Sequence, residues 1–297
     1  FDRDFAVNVS ITAALVALLV PPSHNLILYS ASAGGSISIA DLFAAGIVPA
    51  LLMTAVLMFT GWLIARRRNY AVEPFPGFRQ VLVRFVAALP GLLLVALIFI
   101  GIRAGIFTAV ESASIAVAYA ILVTSLVYRR LTWSHFVETC AGAVRTTGLI
   151  LFVIGAAASF GWLLAYLQVP SSAVEALTAV ADNKYVILLL IVITLLILGT
   201  FMDLAPLIII CTPIFLPVAR AFGIDPVHFG VILILTAGVG LITPPVGSVL
   251  FVGTAIGKIS VTDTLKSIWP FYLAALVVVL VVVYVPALSL WLPAAMK

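Results

Sequence analysis

The sequence predicts an all-α polytopic membrane protein, built as an inverted repeat with broken helices and re-entrant hairpins. Three observations carry that prediction. Of 297 residues, 64% are hydrophobic and 9% charged, where soluble domains carry about 25% charged residues; mean hydropathy is +1.32. Apolar runs of the roughly 17–25 residues that cross a bilayer recur along the chain. Two of those runs are broken by adjacent prolines, Pro21-Pro22-Ser23 and Thr243-Pro244-Pro245. Each break is followed by one phrase, Gly35-Ser36-Ile37-Ser38-Ile39-Ala40-Asp41 and Gly257-Lys258-Ile259-Ser260-Val261-Thr262-Asp263, and then by a long apolar helix.

Taken in order, 5–20 and 24–34 form a broken pair around Pro21-Pro22. Clear spans are expected at 42–65, 83–101, 105–128, 184–202 and 268–293. Segments 228–242 and 246–257 form the second broken pair. The stretches 142–181 and 203–221 are apolar but punctuated by Gly155, Ser159, Gly161, the run Gln168 to Ser172, Asp203, Pro206, Pro213 and Pro217. They fit full spans or re-entrant hairpins equally. The proline-rich loop 69–80 and a short amphipathic helix from Trp133 to Glu138 are expected at the interface.

Charge placement orients these spans. Arg66-Arg67-Arg68 closes one span and Arg129-Arg130 follows two spans later, so both lie on one side, the cytoplasmic one by the positive-inside rule. Lys258 and Lys266 place the start of the last helix there too. The two Ile-Ser-x-x-Asp phrases then sit on opposite faces, as an inverted repeat requires. Four regions follow: 1–41, the end of the first repeat's broken element; 42–141, scaffold helices; 142–257, the second broken element with its hairpin; and 258–297, a final scaffold helix. Phe1 in place of Met suggests a fragment or processed product, and no signal peptide is legible in the opening residues. Cys140 and Cys211 read as small core residues, and His135 and His228 as interfacial.

A helix interrupted by polar residues and prolines inside a membrane points to a binding site. Proline has no N–H and pushes the preceding residue out of helical geometry, so carbonyls are freed. Such carbonyls, with hydroxyl oxygens, suit a dehydrated cation; the amides opening the resumed half-helix suit a carboxylate. Candidates for substrate are Ser23, His24, Asn25, Arg145, Thr243 and Pro245. Candidates for a Na⁺ region are Gly199, Asp203, Thr236, Gly240, Thr243, Val246, Gly247 and Ser248. Asp203 reads either as a membrane-depth acid or as a helix cap, and Arg145 as a carboxylate partner or a snorkelling cation. Glu111 is expected in a first helical turn, with Arg103 as a possible ion-pair partner. Proline kinks filled by neighbouring side chains are the plain alternative at either break. Three scattered histidines and two distant cysteines give no metal cluster. No nucleotide-binding loop or nucleophile elbow is present, and nothing suggests nucleic acid. An enzyme is not expected, and no cofactor beyond a coupling ion. An ion channel and a non-transporting scaffold remain alternative classes.

Several phrases together resemble one family. They are Phe1-Asp2-Arg3-Asp4-Phe5, Pro21-Pro22-Ser23, Gly101 to Thr108 with Glu111, Gly199-Thr200-Phe201-Met202-Asp203, and Gly240 to Gly247. The chain is similar to the C-terminal two thirds of the large membrane subunit of tripartite ATP-independent periplasmic (TRAP) transporters, within the ion-transporter superfamily. The resemblance implies Na⁺-coupled secondary import of an organic acid by an elevator motion across the bacterial inner membrane. It also implies a periplasmic binding protein, a small membrane subunit and surrounding lipids as partners. These residues alone are not expected to transport. Thr236 stands where the family commonly has Asn, and His24-Asn25 where Ile-Pro is more frequent. That polar pair favours sialic acid or another sugar acid, with C4-dicarboxylates the alternative.

Overall fold

A computed structural model of the chain describes residues 1–71, 75–168, 172, 175 and 183–296. Among the described residues it is helical throughout, and seven helices are long and apolar enough to cross a membrane. The chain divides into two compact units, Phe1–Tyr70 with Val153–Lys297, and Ala71–Phe152.

The first unit opens with α1 (Arg3–Ala17), the Pro21-Pro22 break, α2 (His24–Ser32) and α3 (Ile39–Arg67). The second unit holds α4 (Phe78–Arg103), α5 (Ala109–Leu122), which ends in a π turn at Val123–Val127, and the start of α6 (Trp133–Tyr166). The chain then returns to the first unit with α7 (Lys184–Phe201), α8 (Leu204–Ala221), α9 (Pro226–Leu241), the Pro244-Pro245 break, α10 (Ser248–Gly257), α11 (Val261–Tyr284) and α12 (Ala287–Ala295).

The repeated phrase is a helix start. Ser38 caps α3 by accepting from the Asp41 amide at 3.2 Å, and Ser260 caps α11 by accepting from the Asp263 amide at 3.0 Å. An N-cap serine satisfies one of the four amides that every helix leaves unpaired. The motif shared by the two halves therefore launches the helix after each break.

At the centre of the first unit stands α9, buried on every side from His228 to Leu241. A helix apolar all round belongs in such a position. Asp225 starts it, accepting from the amides of Val227 (2.7 Å) and His228 (3.3 Å), with Pro226 in the first turn. Helices α7 and α8 form a helical hairpin whose tip, Met202-Asp203, meets the second break; each arm is a continuous helix long and apolar enough to cross a membrane. α1, α3, α11 and α12 pack together beside it.

In the second unit a capping box opens α5: Thr108 accepts from the Glu111 amide, and Glu111 accepts from the Thr108 amide at 2.7 Å. Glu111 is thus a first-turn acid as expected, and among the described residues no Arg103–Glu111 ion pair forms. Gly101 lies so close under the Phe107 ring that an added Cβ would stand 1.8 Å from it, and the Tyr119 hydroxyl donates to the Pro90 carbonyl.

Several expectations change. The final 268–293 span is two helices, because Pro286 cannot donate and Val285 leaves helical geometry. Trp133–Glu138 is the opening of the long α6, since no breaker follows it. His228 is buried and Cys140 exposed. α3 and α11 each pack against α1 within the first unit. Residues 72–74 of the proline-rich loop, and most of 169–182 in the punctuated stretch, lie outside the described residues.

Candidate functional site

Both breaks contain a cis peptide, Pro21-Pro22 and Pro244-Pro245. Backbone accounting separates them thereafter. At the second break the Thr243, Pro244, Pro245 and Val246 carbonyls accept no hydrogen bond among the described residues. The amides of Val246 and Gly247 both donate to the Thr200 carbonyl in the hairpin, at 3.1 and 3.2 Å. The Ser248 hydroxyl donates to Asp203 at 3.3 Å. Gly247 adopts a positive φ of 39°, and a Cβ there would stand 2.8 Å from the Thr243 carbonyl, so only glycine fits. The Tyr272 hydroxyl donates to the Ile242 carbonyl, and Thr243 donates to Val239 at 2.7 Å. The break is therefore stitched to the hairpin tip on one side while its carbonyls stay open.

Close backbone contact makes this possible. A Cβ on Gly240 would lie 2.6 Å from the Gly199 Cα, and one on Gly199 would lie 2.8 Å from the Ala237 carbonyl. Gly199 and Gly240, expected in the Na⁺ region, thus serve as the seam that brings α7 against α9. Asp203 occupies the N-cap position of α8 but makes no side-chain cap bond; its observed partner is Ser248. Pro245 and Val246 are exposed, and Gly247 is buried.

At the first break Ser23 spends its hydroxyl locally: it donates to the Leu18 carbonyl at 2.5 Å and accepts from the Leu26 amide at 3.5 Å. It is the cap of α2. His24 is exposed. Asn25 is 1% exposed, yet neither its amide nitrogen nor its carbonyl oxygen has a partner. A buried amide left unpaired costs about 1–3 kcal/mol, and native chains rarely leave one without a reason. Among the described residues the Val20, Pro21 and Pro22 carbonyls are also unspent. This break rests on α9: Leu18 fills the space over Gly238, Tyr29 fills that over Gly230, and Tyr29 donates to the Pro226 carbonyl at 2.7 Å. Thr236 lies on α9 within the same interval, fully buried, its hydroxyl unpartnered.

Arg145 is exposed on α6 in the other unit. Thr200, Tyr272 and Asn8 were not singled out from sequence. The first acts through its carbonyl, which no side-chain pattern reports. Asn8, buried in α1, donates to Ser267 at 2.8 Å and leaves its own oxygen unpaired; an amide inside an apolar helix was the signal available.

Residues 1–288 match the family described as tripartite ATP-independent periplasmic transporter, DctM component. The chain is 42% identical to the uncharacterized protein YgiK of Salmonella typhimurium, over 99% of this chain and 67% of that one. It is 35% identical to the C4-dicarboxylate TRAP transporter large permease protein DctM of Pseudomonas aeruginosa, and 34% to the sialic acid TRAP transporter large permease protein SiaM of Vibrio cholerae. Each of these alignments covers 99% of this chain and 68% of the relative. The chain spans about two thirds of the length of these relatives. It belongs to the DctM component family: a TRAP transporter large permease, multi-pass in the inner membrane, of a transporter family rather than an enzyme family.

Proposed function

Starting from membership of this family, we propose that the chain supplies the cation and anion cradle of a sodium-coupled importer of organic acids. A periplasmic binding protein delivers the cargo, and a small membrane subunit completes the assembly. The observation that carries this reading is the unspent polarity at the two breaks: four open carbonyls at 243–246, and a buried Asn25 with both amide atoms unpaired. Oxygen dipoles without hydrogen-bond donors suit Na⁺. The free amides opening α10 and α2 suit a carboxylate. Na⁺ held by the 243–246 carbonyls would fix α10 against the hairpin tip and so present those amides in one geometry. Each ligand then strengthens the other's binding by the same factor. An elevator movement of the broken-helix elements carries both across. Two of the relatives are named for sialic acid and for C4-dicarboxylates, both anionic. The polar His24-Asn25 pair favours a hydroxylated sugar acid, with a C4-dicarboxylate as the second reading.

The test is uptake into vesicles holding the complete subunits and binding protein, with imposed Na⁺ or H⁺ gradients and a panel of acids. One acid accumulating only under a Na⁺ gradient supports the reading. Uptake indifferent to Na⁺ removes the coupling, single-channel current steps favour a channel, and absence of ligand-dependent stabilisation favours a scaffold.

A further inference from the structure

On the reading of carbonyls 243–246 as a cation cradle, we infer that Tyr272 is its positioning residue, fixing the peptide from which that open run departs. This role rests on that reading and adds what holds the geometry. A helical carbonyl accepts from the amide four residues on, or three where the last turn tightens. For Ile242 those positions are Pro245, which has no N–H, and Val246, whose N–H goes to the Thr200 carbonyl at 3.1 Å. Ile242 is fully buried, so water cannot stand in. Its carbonyl accepts instead from the Tyr272 hydroxyl, 30 residues further along the chain.

Its own helix puts Tyr272 there. Ile268, Tyr272, Ala275 and Val279 recur at helical spacing on the buried face of α11, and Tyr272 is 4% exposed. A tyrosine buried so far needs a partner for its hydroxyl. The Trp269 ring meets it edge-on, 5.7 Å between centres.

The Ile242 carbonyl and the Thr243 amide belong to one rigid peptide plane, and that amide donates back to the Gly240 carbonyl at 2.8 Å. With both atoms held, the direction in which the chain leaves α9 is set. The Thr243 carbonyl, first of the open run, comes next. Downstream, the Val246 and Gly247 amides are fixed on Thr200. The run is thus tethered at both ends, by α11 before it and by α7 after it. Oxygens tethered in this way lose less freedom when a cation arrives, and so bind it more tightly. The first break shows the contrast: there the Leu18 carbonyl accepts from Ser23, five residues on in its own chain.

The experiment titrates Na⁺ at constant ionic strength against the complete permease with its small subunit and binding protein, reading uptake into vesicles and, separately, the melting temperature. Tyr272→Phe keeps the ring and removes the donor. Its half-saturating Na⁺ should rise about fivefold, the scale of one hydrogen bond. Uptake at saturating Na⁺ should stay within about twofold of wild type, since only binding is loosened. Tyr29→Phe is the comparison: it too deletes a buried tyrosine's bond to an α9 carbonyl, that of Pro226 at 2.7 Å, at the end of α9 remote from the second break. It should melt lower with its half-saturating Na⁺ unmoved. A purely structural Tyr272 would lower melting and leave half-saturation where it was. Tyr272→Met also lacks the donor and should shift Na⁺ in the same direction, so the answer does not hang on one variant folding. A Na⁺-dependent wild type with unshifted half-saturation in either position-272 variant, or an equal shift in Tyr29→Phe, overturns the inference alone. A wild type indifferent to Na⁺ removes the cradle itself, and the positioning role falls with it.

Discussion

At residues 243–248 the freed amides find an acceptor in the hairpin, Thr200, and the first hydroxyl of the resumed helix finds Asp203. At residues 20–25 the same proline chemistry leaves Ser23 closing on its own chain and Asn25 unanswered. The two positions share adjacent prolines, cis geometry and the helix-launching Ser-x-x-Asp that follows. They differ in what stands beside them. A broken helix creates demand for hydrogen bonds, and a neighbouring element decides whether that demand is met by protein or left open.

The largest expected effect comes from removing the contact that brings the hairpin to the second break. Gly240→Val drives a side chain into the Gly199 backbone, 2.6 Å from where its Cβ would stand. Overpacking of this kind costs about 1–3 kcal/mol or more. The detergent-solubilised protein should melt several degrees lower and lose Na⁺-dependent uptake, whereas a comparable change at Gly34, where a Cβ meets nothing, is limited to the strain of its positive φ. Equal melting of both variants would dissolve the distinction between seam and turn.

Next is Asn25→Leu. If the unpaired amide serves a ligand, its loss should abolish uptake while thermal stability holds or rises by about 1 kcal/mol, the desolvation cost recovered. Falling stability together with falling uptake would assign Asn25 to the fold instead.

Thr243→Val and Ser248→Ala probe the stitched break more gently. Each should raise the Na⁺ concentration for half-maximal uptake severalfold, since each loosens one polar link by about 0.5–1.5 kcal/mol. Sodium dependence unchanged in both would take the second break out of the coupling.

The smallest effect concerns the anchor of α1. Arg68 hydrogen-bonds Asp4, ahead of the apolar run, and holds its carboxyl down at about 2. A depressed carboxylate contributes stability that is present above the ordinary value of 3.8 and lost as pH falls toward 2. The melting difference between wild type and Asp4→Asn should be level from pH 8 to pH 5 and shrink below pH 4. Being partly exposed, the pair should contribute under about 1 kcal/mol. A difference that grows on acidification would refute the assignment.

Much of this was legible in the residues. Period and length of the apolar runs marked α3, α4, α5 and α7, because a bilayer rewards only long, self-satisfied helices. Adjacent prolines marked both breaks, because a missing N–H cannot be restored by context. The roles of individual polar residues were not legible. Gly199 and Gly240 read as ion-site glycines, and the packing seam they form between α7 and α9 was not foreseen; Ser23 read as a ligand group, and its cap bond to the Leu26 amide was not foreseen. His228 looked interfacial, yet α9 lies wholly inside the first unit.

By itself the sequence determined that the chain lives in a bilayer and where its two paired-proline breaks fall, since these depend on local backbone chemistry and on runs of side-chain polarity. Only the tertiary structure decided which freed amides find an acceptor and which amide side chain stays bare. Those outcomes depend on distances between segments far apart in the chain, and no local pattern encodes them.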